Sequence, residues 1–199
     1  LRGLGITRKK VLFLDGAPGT GKSSLILAIA SQLNKDIAYF SFPPKITDTT
    51  LITAMSNVPE DAIVVFEDID CLFQDRKPND SAKNYVTFSA LLNCLDGLVC
   101  KDGMIVIATT NHLNTLDPAL IRSGRVDKII TLDYIKKKEI IEMFKRFMEL
   151  NYIEGSENEF YDKVHSLSIK ITPSLLQQYL KKYMDKTSEA LENYLEKTL

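Results

Sequence analysis

The chain has 199 residues, 45% of them hydrophobic, enough to bury the core of one large domain or of one large and one small domain. Its 25 basic and 26 acidic side chains leave a net charge of −1, so no overall field draws it to nucleic acid or to an anionic membrane. Three cysteines, Cys71, Cys94 and Cys100, are odd in number and lack metal-type spacing, which reads as reduced, incidental thiols rather than a disulfide frame or a metal cluster.

Leu1–Lys10 is a mixed lead-in whose Gly5-Ile6 could line an adenine pocket or merely cap a sheet. Val11–Leu14 is too continuously apolar for a half-exposed strand and reads as a central strand covered on both faces. It runs into Gly16-Ala17-Pro18-Gly19-Thr20-Gly21-Lys22-Ser23, which satisfies G-x-x-x-x-G-K-[ST]. Glycines at this spacing let the backbone wrap so that successive N–H groups point at phosphate oxygens, and the helix that follows offers its positive end. Lys22 is expected to reach the β- and γ-phosphates of ATP and Ser23 to hold Mg²⁺, with Ser24 in the same binding stretch. The helix itself reads Lys22–Leu33, from Leu25, Ile26, Ile29, Ala30 and Leu33.

Ile37–Phe42 reads as a second strand stopped by Pro43-Pro44. Thr47 or Asp48 can cap a helix with Leu51, Ile52 and Met55 on its apolar side, ending near Asn57 and Pro59. Ala62–Phe66 is a third strand, and it ends in Glu67-Asp68-Ile69-Asp70. Three carboxylates within four residues at the end of a buried strand call for a cation or for donors, with Mg²⁺ the natural candidate. For Asp68 and for Asp70, helix capping or surface ion pairing competes with a role at the site.

Gln74–Asn84 reads as a polar, mobile loop before a helix over Tyr85–Leu95. Met104–Ala108 is the fourth strand, ending in Thr109-Thr110-Asn111; Pro118 should start a short helix that leads to Ile121-Arg122-Ser123-Gly124-Arg125, and Lys128–Leu132 is the fifth strand. Beyond Asp133 only helical patterns remain. One carries Ile140, Phe144 and Met148, a second Phe160 and Val164, a third opens at Thr172-Pro173, and a last runs from about Ser188 to the end. The expected organisation is an α/β domain over residues 1–133 and a small helical lid over 134–199. His112 and His165 sit in no metal or nucleophile pattern and read as structural.

Strands interleaved with helices, a phosphate loop after the first and acids after the third, define a P-loop NTPase sheet with its ligand at the strands' carboxyl ends. Gly16–Ser23, Glu67–Asp70, Ala108–Asn111 and Leu116–Arg125 resemble, in order and spacing, the Walker A, Walker B, sensor-1 and arginine-finger motifs of the AAA ATPases. The resemblance is close from Gly5 to about Asp133 and loose over the lid. Glu67-Asp68 inverts the usual Asp-Glu order and is similar to the BCS-type subfamily, which includes the chaperone that moves a folded iron–sulfur protein. Also similar to it are Gly21-Lys22-Ser23-Ser24, Val58-Pro59-Glu60, Leu95-Asp96-Gly97 and Thr109-Thr110-Asn111-His112.

The resemblance implies a five-stranded parallel sheet sandwiched by helices, and Mg²⁺-dependent ATP hydrolysis in a homo-oligomeric ring of roughly six or seven subunits that acts on a protein substrate. By position, Glu67 would bind Mg²⁺ through water, Asp68 would polarise the attacking water, and Asn111 would orient it. Arg122 and Arg125 would meet the γ-phosphate held by the adjacent subunit. Asp68 is one methylene shorter than the usual Glu, which leaves open whether Asp68 or Glu67 activates the water. Two other readings stay open: a nucleic-acid-associated AAA+ protein, and an ATP-binding switch with little turnover. Balanced charge and the lack of any arginine after Arg146 speak against the first. Between second strand and next helix, Phe42–Asp48 has no glycine and two prolines, unlike the aromatic–hydrophobic–Gly triplet of threading motors, so Phe42 is expected to pack at the strand's end. The chain is expected to be a soluble intracellular domain of a longer protein, with any membrane link outside it.

Overall fold

The computed structural model describes residues 9–42, 46–74, 86–96, 103–122 and 124–192. Five strands, β1 (Lys10–Asp15), β2 (Ile37–Phe40), β3 (Ile63–Phe66), β4 (Ile105–Thr110) and β5 (Lys128–Thr131), pair all-parallel in the order β2-β3-β4-β1-β5. The continuous apolar runs are explained by cover on both faces. With a side-chain period of two, Val11, Phe13, Val64, Phe66, Val106 and Ala108 point to one layer, and Leu14, Ile63, Val65 and Ile107 to the other. The first layer is closed by Leu51 and Met55 of α2 (Asp48–Ser56) and Leu91 and Leu95 of α4 (Phe88–Asp96). Ile26 and Ala30 of α1 (Lys22–Leu33) close the second.

The chain forms two compact units, Leu1–Gly16 with Lys22–Leu132, and Ala17–Gly21 with Asp133–Leu199. Helix α1 spans the residues that the sequence predicts, and Thr47 is the residue that caps α2, its hydroxyl accepting from Thr50 N–H at 3.3 Å. Other boundaries differ. β2 stops at Phe40, two residues short of the prediction, and the Phe42 ring instead stacks on Phe66 at 5.9 Å. Helix α4 begins at Phe88 because the Thr87 hydroxyl accepts from Ala90 N–H, which makes Thr87 its cap; the predicted start, Tyr85, lies outside the described residues. A four-residue helix, α3 (Cys71–Gln74), follows directly after Asp70, where the helix-capping reading would place one; residues 75–84 of the predicted mobile loop lie outside the described residues, as does Cys100.

The helix expected from Pro118 is absent among the described residues. Asp117 accepts from Ala119 N–H with its side chain and from Leu120 N–H with its carbonyl, a local bonding pattern that favours a turn over a helix. Among the described residues nearby, the short helical piece is a 3₁₀ turn at Leu113–Thr115.

In the second unit, α5 (Lys137–Phe147), α6 (Ser156–Ser166), α7 (Pro173–Lys182) and α8 (Thr187–Glu192) surround Phe144, Phe160 and Tyr179, whose rings stack in series at 4.5 and 6.0 Å. Thr172 caps α7 and Pro173 occupies its first turn, as the sequence indicates. The last helix is described only to Glu192. The phosphate-loop residue Gly19 belongs to this unit, its carbonyl accepting from Ser174 N–H at 3.1 Å.

At the start of α6, Glu157 accepts from the Tyr152 hydroxyl and pairs with Lys145 at 3.0 Å. Those two partners hold its carboxyl well below the usual glutamate range, at about 2. A depressed folded pKa contributes stability that is fully present above the ordinary value near 4.5 and is lost as pH falls through the folded value. The urea midpoints of wild type and Glu157→Gln should therefore differ most above that ordinary value and converge towards pH 2. A gap that stays constant across this range would mean that the charge of Glu157 adds nothing.

Candidate nucleotide site

Parallel strands bring their carboxyl ends to one edge, and here the register aligns Asp15 of β1 with Thr110 of β4 and Phe66 of β3 with Ala108 of β4. Gly16, Glu67-Asp68 and Asn111 thus leave the sheet side by side. Within the loop, Ala17 carbonyl accepts from both the N–H and the hydroxyl of Thr20, closing a turn around exposed Pro18. Gly21 has φ +101°, a conformation that side chains rarely adopt, and a Cβ added there would project into open space with no atom within 4 Å. The backbone can therefore be approached closely at this point, as a phosphate requires.

Lys22 is 8% exposed, and its Nζ donates to Gly16 O at 2.6 Å and to Asn111 Oδ1 at 2.7 Å. Burial pulls its pKa below the ordinary lysine value, while the charges of Asp68, Asp15 and Asp70 oppose that shift. Asn111 Nδ2 in turn donates to Asp68 Oδ1 at 3.3 Å. Chemistry fixes the amide orientation, since an ammonium only donates and a carboxylate only accepts. Asn111 therefore bridges Lys22 and Asp68.

Glu67 goes the other way. Its Oε1 accepts from Ser23 Oγ at 3.5 Å, so this carboxylate sits beside the hydroxyl expected to hold the metal. Ser24 is exposed on the first turn of α1. No three His, Cys, Asp or Glu side chains among the described residues converge as a metal cage. One hydroxyl beside one carboxylate nevertheless fits Mg²⁺, which keeps several waters and takes its other ligands from substrate phosphates.

Asp68 has φ +48°, the left-handed region. Its N–H donates to Thr109 Oγ1 at 2.9 Å, and Ile69 N–H donates to Thr109 O at 3.0 Å. Asp70 is 5% exposed and accepts from Asn111 N–H at 3.2 Å, so it ties this turn to the end of β4. Neither contact of Thr109 is legible in its residue type, although a doubled threonine at the end of a buried strand marks a place where a hydroxyl must find a partner. Burial, with Asp70 and Asp68 nearby, pushes the Cys71 thiol up, away from the reactive thiolate form.

The two arginines are placed differently. Arg122 is exposed, whereas Arg125 is half-buried and donates from Nη1 to Ala119 O at 2.8 Å, closing its own turn. Ser123 lies outside the described residues. His112 is exposed, and the His165 ring packs 5.5 Å from Tyr161.

The all-parallel sheet in the order β2-β3-β4-β1-β5, with the phosphate loop following β1, defines a P-loop NTPase fold. Residues 12–134 match the model of the ATPase family associated with various cellular activities, and the chain belongs to this AAA family. It is 35% identical over 198 residues to mitochondrial chaperone BCS1 of Bos taurus, across 95% of this chain and 46% of that protein. It is similarly 35% identical to probable mitochondrial chaperone BCS1-A of Dictyostelium discoideum, over 96% and 47% of the two chains. Probable mitochondrial chaperone bcs1 of Schizosaccharomyces pombe is 42% identical over 146 residues, 72% of this chain and 32% of its own length. The chain thus resembles proteins named as BCS1 chaperones and spans about half the length of most of these relatives or less. Among the described residues no helix is long and apolar enough to cross a membrane.

Proposed function

We propose that this chain is the Mg²⁺-dependent ATP-hydrolysing module of a ring that couples turnover to moving or remodelling a protein. The observation that carries the reading is the Lys22–Asn111–Asp68 chain of contacts beside the separate Ser23–Glu67 pair. Backbone N–H groups of the Gly16–Gly21 loop, Pro18 apart, and the ammonium of Lys22 would bind the β- and γ-phosphates, with Ser23 and Ser24 at the helix start. Ser23 and Glu67 would hold Mg²⁺, Glu67 partly through water. When bound, the ion neutralises charge that develops on the transferred phosphoryl group. Asp68 would take the proton of the attacking water, and Asn111, already bonded to Asp68, would orient that water. Arg122, and with it Arg125, would act on the nucleotide of the adjacent subunit. In this reading residues 1–133 form the nucleotide-binding domain and 134–199 the lid.

The relatives' names support a protein cargo and an organelle setting, and any membrane link would lie outside this chain. No nucleic-acid partner is proposed, in keeping with the balanced charge. Phe42 favours cargo handling without an aromatic paddle, since its ring is partly buried against the sheet core. The test is steady-state ATP turnover with and without Mg²⁺, together with ATP affinity of Lys22→Ala. Losing a charge-assisted contact of about 1.5–3 kcal/mol should weaken ATP binding by about 10–100-fold and remove turnover. Undiminished ATP binding by Lys22→Ala would overturn the assignment.

A further inference from the structure

We infer that Thr109 is a positioning residue for hydrolysis, holding Asp68 in its left-handed backbone so that the shorter carboxylate meets Asn111. The inference rests on the proposed role of Asp68. The β3–β4 ladder ends at Phe66 and Ala108, and one residue further along β4 Thr109 receives two successive amides of the departing chain. Its hydroxyl takes Asp68 N–H and its carbonyl takes Ile69 N–H. A strand can offer the carbonyl whatever its side chain. Only a hydroxyl residue adds the second acceptor, and that acceptor falls on the one residue here with φ +48°.

Thr109 is 2% exposed, so water cannot replace its hydroxyl readily. The opposing strap, Asn111 N–H to Asp70, returns from β4 to the same turn. The Asp68 carboxylate therefore has its backbone and its partner amide set by one pair of adjoining segments. A positive φ redirects the Cα–Cβ bond, which is one way an aspartate can be aimed where a longer glutamate would otherwise be needed.

The test compares Thr109→Val, Thr109→Ser, Asp68→Asn and the double variant Thr109→Val/Asp68→Asn in the assembled protein with Mg²⁺ and ATP. Thr109→Val should lower kcat by about 10–100-fold, as an ångström-scale misplacement does, with ATP affinity and melting temperature near wild type. Thr109→Ser, which keeps the acceptor, should recover most of the rate. Valine should add little to the defect of Asp68→Asn, because both act through one carboxylate. Near-normal turnover of Thr109→Val beside an inactive Asp68→Asn overturns the inference and leaves the role of Asp68 intact. Equal loss in Val and Ser with a lowered melting temperature also overturns it, as plain destabilisation. Normal turnover of Asp68→Asn overturns the underlying reading and this one with it. Should Thr109→Val not fold, Thr109→Ala provides the same ratio against Thr109→Ser.

Discussion

Asp68→Asn should bind ATP as wild type does while losing about 10²–10⁴ of its turnover, the span set by removing a general base. Asparagine tolerates the left-handed backbone at φ +48°, so the turn and its bonds to Thr109 survive and only the proton acceptor is lost. In the proposed reading, ground-state contacts with phosphates would run through Lys22 and the loop, which is why affinity should not follow the rate. Glu67→Gln serves as the comparison. Its position beside Ser23 makes its expected defect one of Mg²⁺ requirement, relieved by raising the ion's concentration. Single-turnover rates and ATP titrations check both variants, and normal hydrolysis by Asp68→Asn with an inert Glu67→Gln would exchange their roles.

The second large effect concerns Arg122. Supplying a cation to a neighbour's γ-phosphate is worth about 10³–10⁵ in related phosphoryl transfers, so Arg122→Ala should lose turnover on that scale with little change in ATP affinity. Its exposure leaves the side chain room to reach outward, whereas Arg125 already serves Ala119 within its own turn. Arg125→Ala should therefore add a fall in melting temperature to any loss of rate. Mixing Arg122→Ala with Lys22→Ala subunits should restore activity at interfaces that pair an intact Lys22 with an intact Arg122. A confirmed mixed assembly that stays as inactive as its parts would rule out action on a neighbour.

How much was legible in the sequence follows from what each signal depends on. Val11–Leu14 and Ala62–Phe66 announce buried parallel strands because burial on both faces leaves no room for polar alternation. Thr172-Pro173 announces a helix start because cap and first-turn chemistry are local. In the sequence, Asp117–Leu120 reads as the start of a helix because proline at a first position fits helix and turn alike, and the Asp117 bonds that make it a turn are visible only in three dimensions. At the site, the glycine–lysine spacing identifies the loop, yet the division of labour between Glu67 and Asp68 depends on which neighbour each one meets. Ser23 and Asn111 lie 44 and 43 residues away in the chain, and no local pattern reports such pairings.

The Phe66 side chain has a mechanical consequence. Its ring is flanked by Phe40 at 5.5 Å and Phe42 at 5.9 Å, and Glu67 N–H, next in the chain, bonds to Phe40 O. The end of β2 and the residue that follows it thus meet Phe66 by two aromatic contacts and Glu67 by one backbone hydrogen bond. In the proposed reading, a displacement of Phe42 would reach the end of β3 through these contacts, and one at Glu67 would return by them.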